Sequence, residues 1–296
     1  MGADPEDLKA PNYTVFSNTT SAAQWNANQE SGVPPVVPLE SPHNDMHLAV
    51  GGFDTPSFDV SAISGANGDM GENDTAGLDP IFFFHHCFVD RAFWLWQQKH
   101  GYTDHLDVIP EYPGTNSVDN QGPTPGVAEG TWLDLDSPLS PFKRDDGSTY
   151  TSNQAVNIEQ QLGYTYGPGS LEDQLGRGPL AAAGTEESPT TRAIKVTGLN
   201  RAAIRGSFLI GTFLRIDGKR YHVGNESVLS RWSIQGCANC QTHLEVKAFI
   251  GLHGLADEDL TGADYEVEVR TRDGVLHEHR AIVSLFHKKA FHVQLK

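Results

Sequence analysis

Four histidines, and the spacing between them, raise the first chemical question in this 296-residue chain. His43 and His47 stand four apart in SPHNDMHLAVGG, so on a helix both imidazoles leave one face about a turn apart. Two imidazoles so placed can share a metal ion once a third ligand arrives from elsewhere. The stretch DPIFFFHHCFVDRAFWLWQ offers that ligand through its doublet, His85-His86. Asp79-Pro80 reads as a helix entry, and the run behind it is apolar nearly all round, which predicts a buried helix. A histidine early in such a helix meets apolar surroundings, where the neutral ring is a good ligand. An HxxxH pair alone carries little, because such pairs also decorate surface helices. The second segment, in the right order, carries the metal reading.

Together the two segments resemble the second copper half-site of the tyrosinase, catechol oxidase and haemocyanin family. The resemblance rests on His43-Asn44, Gly51-Gly52, Asp79-Pro80-x-Phe82, His85-His86 and Val89-Asp90-Arg91. It implies that His43, His47 and His86 are the three ligands of one copper ion. For Glu40 and Asn44 it implies a catalytic task, holding between them a water that takes the proton of an incoming phenol. A carboxylate and an amide oxygen can both accept from one water and raise its basicity. Glu40 as a first-turn charge that favours the helix dipole is the plainer alternative.

A complete family member holds two coppers, and the ligands of the first lie N-terminal to those of the second. Here 42 residues precede His43, none of them histidine, and most of the remaining histidines sit in the last third. The expectation is therefore one half-site of a tyrosinase-type copper oxidoreductase. The full activity turns mono- and diphenols into o-quinones with dioxygen, the chemistry of melanin-type pigments. Its alternative is a non-catalytic copper-binding remnant or a haemocyanin-like oxygen-binding protein. A hydrolytic zinc site would call for glutamate in place of Asn44 and falls behind.

The elements that must position these residues divide the chain. Residues 1 to 180 carry 25 acidic and 6 basic side chains, against 13 and 15 in the rest. So lopsided a split suggests two units and argues against nucleic acid as a partner of the first. No apolar run reaches the ~20 residues of a membrane span. The start, MGADPEDLKAPNY, lacks the basic region and apolar core of a secretory signal, so the default expectation is cytoplasmic. Tyr164 and Tyr166 resemble the family's Tyr-x-Tyr motif at the end of the catalytic domain, where both rings pack back on the core. Cys87 is expected in that core, and Asp90 is expected to pair with another element or to steady the ligand-bearing face.

Beyond Thr191 six runs alternate apolar and polar residues: RAIKVTGL, SFLIGTFLRI, HLEVKAFIGL, DYEVEVRTR, AIVSLF and AFHVQL. They predict an antiparallel β-sandwich or barrel. The fold class is thus α+β. A partial α-helical type-3 copper domain over 1–168 leads through a linker at 169–191 to an antiparallel β-sandwich over 192–296. Its position is similar to the C-terminal domain of latent fungal tyrosinases, which implies an intramolecular cap with Val228, Leu229 or Trp232 near the copper pocket; the plainer alternative places these three residues in the sandwich core. The pair Cys237 and Cys240 is open to several uses; the resemblance implies a copper relay, and soft thiolates suit Cu(I).

Overall fold

The computed structural model describes residues 10–29, 33–53, 68–115, 127–128, 130–167, 192–231, 245–252, 260, 263–276, 280–285 and 288–294. Four helices come first: α1 (Tyr13–Ser17), α2 (Thr19–Ala27), α3 (Glu40–Val50) and α4 (Ile81–His100). A short hairpin follows, β1 (Pro138–Lys143) with β2 (Thr149–Thr151). Eight strands close the chain: β3 (Ala193–Asn200), β4 (Phe208–Ile216), β5 (Lys219–Val228), β6 (Glu245–Gly251), β7 (Asp264–Thr271), β8 (Gly274–Leu276), β9 (Arg280–Leu285) and β10 (Lys288–Gln294). Two compact units divide the residues. One comprises 1–25, 36–40 and 85–186; the other comprises 26–35, 41–84 and 187–296.

In the first unit the core gathers on the later turns of α4. Phe16 stacks on Trp96 with ring centroids 4.3 Å apart, and Leu106, Val156 and Ala10 complete the buried cluster. The Trp96 indole N–H donates to the Ala10 carbonyl at 3.1 Å, so the ring's polar edge is satisfied inside the core. Gln97, also buried, donates its amide to the carbonyls of Tyr102 and Val156. Those bonds tie the end of α4 to the chain that follows it. Gly101 ends the helix at φ 73°, the left-handed conformation that a C-terminal glycine supplies.

α4 begins as its sequence demands. The Asp79 carboxylate accepts from the Ile81 backbone N–H at 3.0 Å, and Pro80 sits where no N–H is needed. The expectation of a helix buried all round does not hold. Ala92 and the residues from Trp94 to Gln97 are buried, whereas Ile81, Phe83, Phe84 and Phe88 are exposed. Cys87, expected in the core, is exposed with them. The early turns are apolar on a side that no described element covers, and composition alone cannot distinguish such a side from a packed one.

In the second unit β3 to β10 form two four-stranded antiparallel sheets, ordered β10-β9-β3-β6 and β5-β4-β7-β8. Ile194 and Val196 of β3 and Val246, Ala248 and Ile250 of β6 meet Phe208, Ile210 and Leu214 of β4 and Val267 and Val269 of β7 in one core. The period-two burial along β6 and β7 is the alternation that the sequence displays. All six expected strands are present. β5 was not expected: its sequence, KRYHVGNESV, is polar, and a register shift near Thr212 and Phe213 breaks its alternation. The turn at Asp217-Gly218 has φ of 50° and 76°, the geometry of a tight hairpin between β4 and β5.

β4 is buried on both faces. Phe208 and Ile210 point into the sandwich, while Leu209, on the opposite face, packs with Leu48 and Phe53. Leu48 belongs to α3, so the sheet containing β4 and β5 lies directly on the helix of His43 and His47. One polar link reinforces that packing: the Ser41 hydroxyl donates to Glu226 at 2.9 Å.

Candidate metal centre

α3 places His43 and His47 on one face, with ring centroids 4.6 Å apart. It ends at Gly51-Gly52, where the Gly51 N–H still reaches the His47 carbonyl at 2.9 Å. A Cβ on Gly51 would overlap the backbone of Gly71, so two glycines let two chain segments touch here. The Gly68 N–H donates to the Gly51 carbonyl at 2.7 Å and holds the segment in place. That contact brings the Met70 carbonyl to 2.8 Å from His47 Nδ1. A carbonyl can only accept, so Nδ1 carries the proton and Nε2 keeps its lone pair for a metal.

His43 is oriented in the same manner. Its Nδ1 lies 3.0 Å from Asn44 Oδ1, and donation to that amide oxygen again leaves Nε2 as the ligand atom. The Phe82 ring meets His47 edge-on at 5.9 Å, which sets the first turn of α4 beside α3. The next turn carries His85 and His86. Ring nitrogens of His43, His47, His85 and His86 all lie within 4.8 Å of one another, and His47 and His85 are buried. Four imidazoles, two with the proton fixed on Nδ1, form a donor set suited to copper or zinc. The sequence singled out His86 as third ligand; its neighbour His85 joins the group as well.

The other expected residues fall as follows. Glu40 turns Oε2 to the start of α2, accepting from the Thr19 N–H at 2.6 Å and the Thr19 hydroxyl at 3.0 Å. Asn44 is buried against His43. Asp90 accepts from the hydroxyls of both Tyr164 and Tyr166, and Tyr166 also reaches the Cys87 carbonyl. Burial and the Asp90 carboxylate push the Tyr164 phenol up to about 12, and the Tyr166 phenol rises further for the same reasons. Val228 belongs to the sandwich core and Leu229 packs against the Leu48, Phe53 and Leu209 cluster. Trp232, Cys237 and Cys240 lie outside the described residues.

Sequence reasoning missed the contributions of the segment before α4. Nothing in Asp69-Met70-Gly71 announces that its backbone will orient a histidine 23 residues upstream. It also missed Asp45, whose carboxyl burial pushes up to about 6 against the pull of Ser227, and Glu72. Glu72 is buried with an oxygen 3.1 Å from Arg272 Nη2. Burial holds its carboxyl above the ordinary range although Arg272 pulls the other way.

A helical pair that converges four imidazoles, joined in sequence to an antiparallel sandwich, defines a histidine-ligated metalloprotein of α+β fold. Residues 4–99 match the family described as the common central domain of tyrosinase, and the chain therefore carries a tyrosinase-family domain. Tyrosinase HcTyr2 of Hahella sp. is 50% identical over 272 residues, which are 90% of this chain and 48% of that protein. A tyrosinase of Aspergillus oryzae is 51% identical over 275 residues, covering 85% of this chain and 49% of its own length. The solved tyrosinase from Burkholderia thailandensis at low pH superposes with a TM-score of 0.76 at 52% identity, over 91% of this chain and 51% of that one. The chain thus spans about half the length of these relatives. The tyrosinase family depends on copper, and the four-imidazole group fits such an ion.

Proposed function

We propose that this chain supplies one copper half-site of a tyrosinase-type oxidoreductase, which uses dioxygen to convert mono- and diphenols into o-quinones. The convergence of four imidazoles, with His43 and His47 each held at Nδ1, carries the proposal. A bound copper ion supplies one-electron redox chemistry toward dioxygen. In this assignment His43, His47 and His86 hold the ion through ring nitrogens, and His85 is a neighbour without a ligand role. The Met70 carbonyl and Asn44 keep two of those rings in the tautomer that binds. For the phenol's proton we assign a water between Glu40 and Asn44, which stand one turn apart on α3. Glu40 uses Oε2 on Thr19, so Oε1 is the oxygen left for that water.

The β-rich part is assigned the role of an intramolecular cap. Its support is the packing of Leu229 against the cluster of Leu48, Phe53 and Leu209, in which Leu48 is the residue after His47, together with the Ser41–Glu226 link. Cys237 and Cys240 are assigned to copper delivery, because thiolates prefer Cu(I). Nucleic acid and membrane have no part in the proposal, given the acidic first 180 residues.

The second reading, copper binding without turnover, is favoured by one observation: among the described residues there is a single histidine group of this kind. Purified chain loaded with copper separates the outcomes. One tightly bound Cu(II) per chain with a full electron paramagnetic resonance signal is expected, and phenols should be oxidised at background rate by this chain alone. Adding the unmatched half of the Hahella relative as a separate polypeptide should restore quinone formation. Copper binding with no such rescue selects the second reading, and failure to retain copper rejects both.

A further inference from the structure

The turn that presents the Met70 carbonyl to His47 is itself held by the sandwich. Met70 is fully buried, and Glu72, two residues on, is 4% exposed. The Glu72 N–H donates to the Asp69 carbonyl at 3.1 Å, and the Glu72 carbonyl accepts from Thr75 and Ala76 at 3.2 and 2.9 Å. Those bonds close the backbone around Met70, so a displacement of Glu72 carries the Met70 carbonyl with it. The Glu72 side chain ends on Arg272, the residue after β7, whose Nη2 lies 3.1 Å from a carboxylate oxygen. The next two residues run to the sandwich as well. The Asn73 N–H donates to the Ser230 carbonyl at 3.3 Å, and Asp74 lies 3.7 Å from Arg231 Nε. Ser230 is fixed in turn, because it exchanges hydrogen bonds of 2.9 and 3.2 Å with the buried Ser207 hydroxyl. All these residues belong to one compact unit with His43 and His47.

We infer that Glu72 and Arg272 are positioning residues of the metal site: through this ion pair the sandwich holds the Met70 carbonyl against His47 Nδ1 and so keeps Nε2 of that ring open to an ion. A buried ion pair adds little net stability, but removing one partner strands the other charge. Asp74 also faces Glu72 and opposes its charge, so Arg272 is the favourable partner of the two. Without Arg272 the ionised Glu72 gains by turning toward water, and the turn that carries Met70 goes with it. The His47 ring then loses the acceptor that fixes its proton. The sandwich in this way does more than cover the site, since a residue near the far end of the chain sets the tautomer of a ligand on α3. The value of that tautomer for function rests on the copper half-site reading; the geometry does not.

Nitrogen-15 spectra of the histidine rings in the full metal-free chain at about pH 8, where ordinary histidines are neutral, test the inference, with a His47→Gln variant to assign the signals. His47 in the parent should carry its proton on Nδ1. Arg272→Met should shift it toward Nε2, while His43, whose Nδ1 faces Asn44, stays as in the parent and serves as the internal control. Copper titration against a competing chelator should show a loss of roughly 10- to 100-fold in the same variant, the range for groups that orient a ligand. Arg272→Lys keeps a cation at the single contact and should restore both readouts. Should Arg272→Met fail to fold, Glu72→Ala, which leaves no buried charge behind, carries the same expectation. A purely structural pair would lower the urea midpoint and leave the His47 proton on Nδ1, which overturns the inference. So does Arg272→Lys protein that behaves as Arg272→Met. A parent that retains no copper rejects the half-site reading instead, and the His47 proton still decides the role of the ion pair.

Discussion

His47 Nδ1 donates to the Met70 carbonyl oxygen at 2.8 Å, and this one bond joins the metal-bearing face of α3 to the segment that leads into α4. The bond depends on a backbone contact between Gly51 and Gly71 that has no room for a side chain. Gly51→Ala should therefore push residues 68–71 away and free the His47 ring. Overpacking of this kind costs about 1–3 kcal/mol, and loss of a bond that orients a ligand lowers metal affinity by roughly 10- to 100-fold. Copper titration against a competing chelator, with urea unfolding in parallel, measures both. Parental affinity in the variant would show that the Met70 carbonyl is dispensable.

The third ligand separates the two members of the doublet. His86→Ala should lower copper affinity by more than about 100-fold, as should His43→Ala and His47→Ala, whereas His85→Ala should keep one copper per chain. Equilibrium dialysis with elemental analysis gives the stoichiometries. The reverse order for the two doublet variants would transfer the ligand role to His85.

Asp90 clamps Tyr164 and Tyr166 through one carboxylate, and the clamp holds the segment near 164–166 on α4. Spectrophotometric titration at 295 nm of single Tyr→Phe variants should show that Tyr164 and Tyr166 both ionise above the ordinary phenol range. Asp90→Asn should return both toward the ordinary range, since it removes the carboxylate that opposes their ionisation. Tyr166→Phe should cost about 1 kcal/mol of stability. Unchanged late titration in Asp90→Asn would assign the shifts to burial alone.

Glu72 supplies a pH dependence. Its carboxyl is held above the ordinary range by burial, with Arg272 opposing. A raised carboxyl binds its proton more tightly folded than unfolded. Its contribution to stability is therefore complete below the ordinary carboxylate range and lost as pH rises through the raised value. Urea unfolding of metal-free protein from pH 4 to 8 should show a decline in the parent that Glu72→Gln lacks. The histidines titrate in both proteins, so the difference between the two curves isolates Glu72. Parallel curves would mean that the Arg272 pair cancels the burial.

The sequence alone determined the parts of this protein that depend on local chemistry. A four-residue spacing puts His43 and His47 on one helical face, Asp79-Pro80 starts α4, and alternation in six runs makes six strands. Each follows from geometry within a few residues. Tertiary structure decided what depends on which segments meet. Asp69-Met70-Gly71 orients His47 only because two glycines allow two backbones to touch. His85 enters the histidine group beside His86 because the first turn of α4 brings Phe82 edge-on to His47. Glu40, in sequence a neighbour of the ligands, commits an oxygen to Thr19 because α2 begins beside it. The clearest divergence is α4 itself. Its residues are apolar on every side at the start, and hydrophobicity records only a tendency to leave water. Which side finds a partner is a property of the neighbours, so the exposed stripe of Ile81, Phe84 and Phe88 became visible only once the chain was folded.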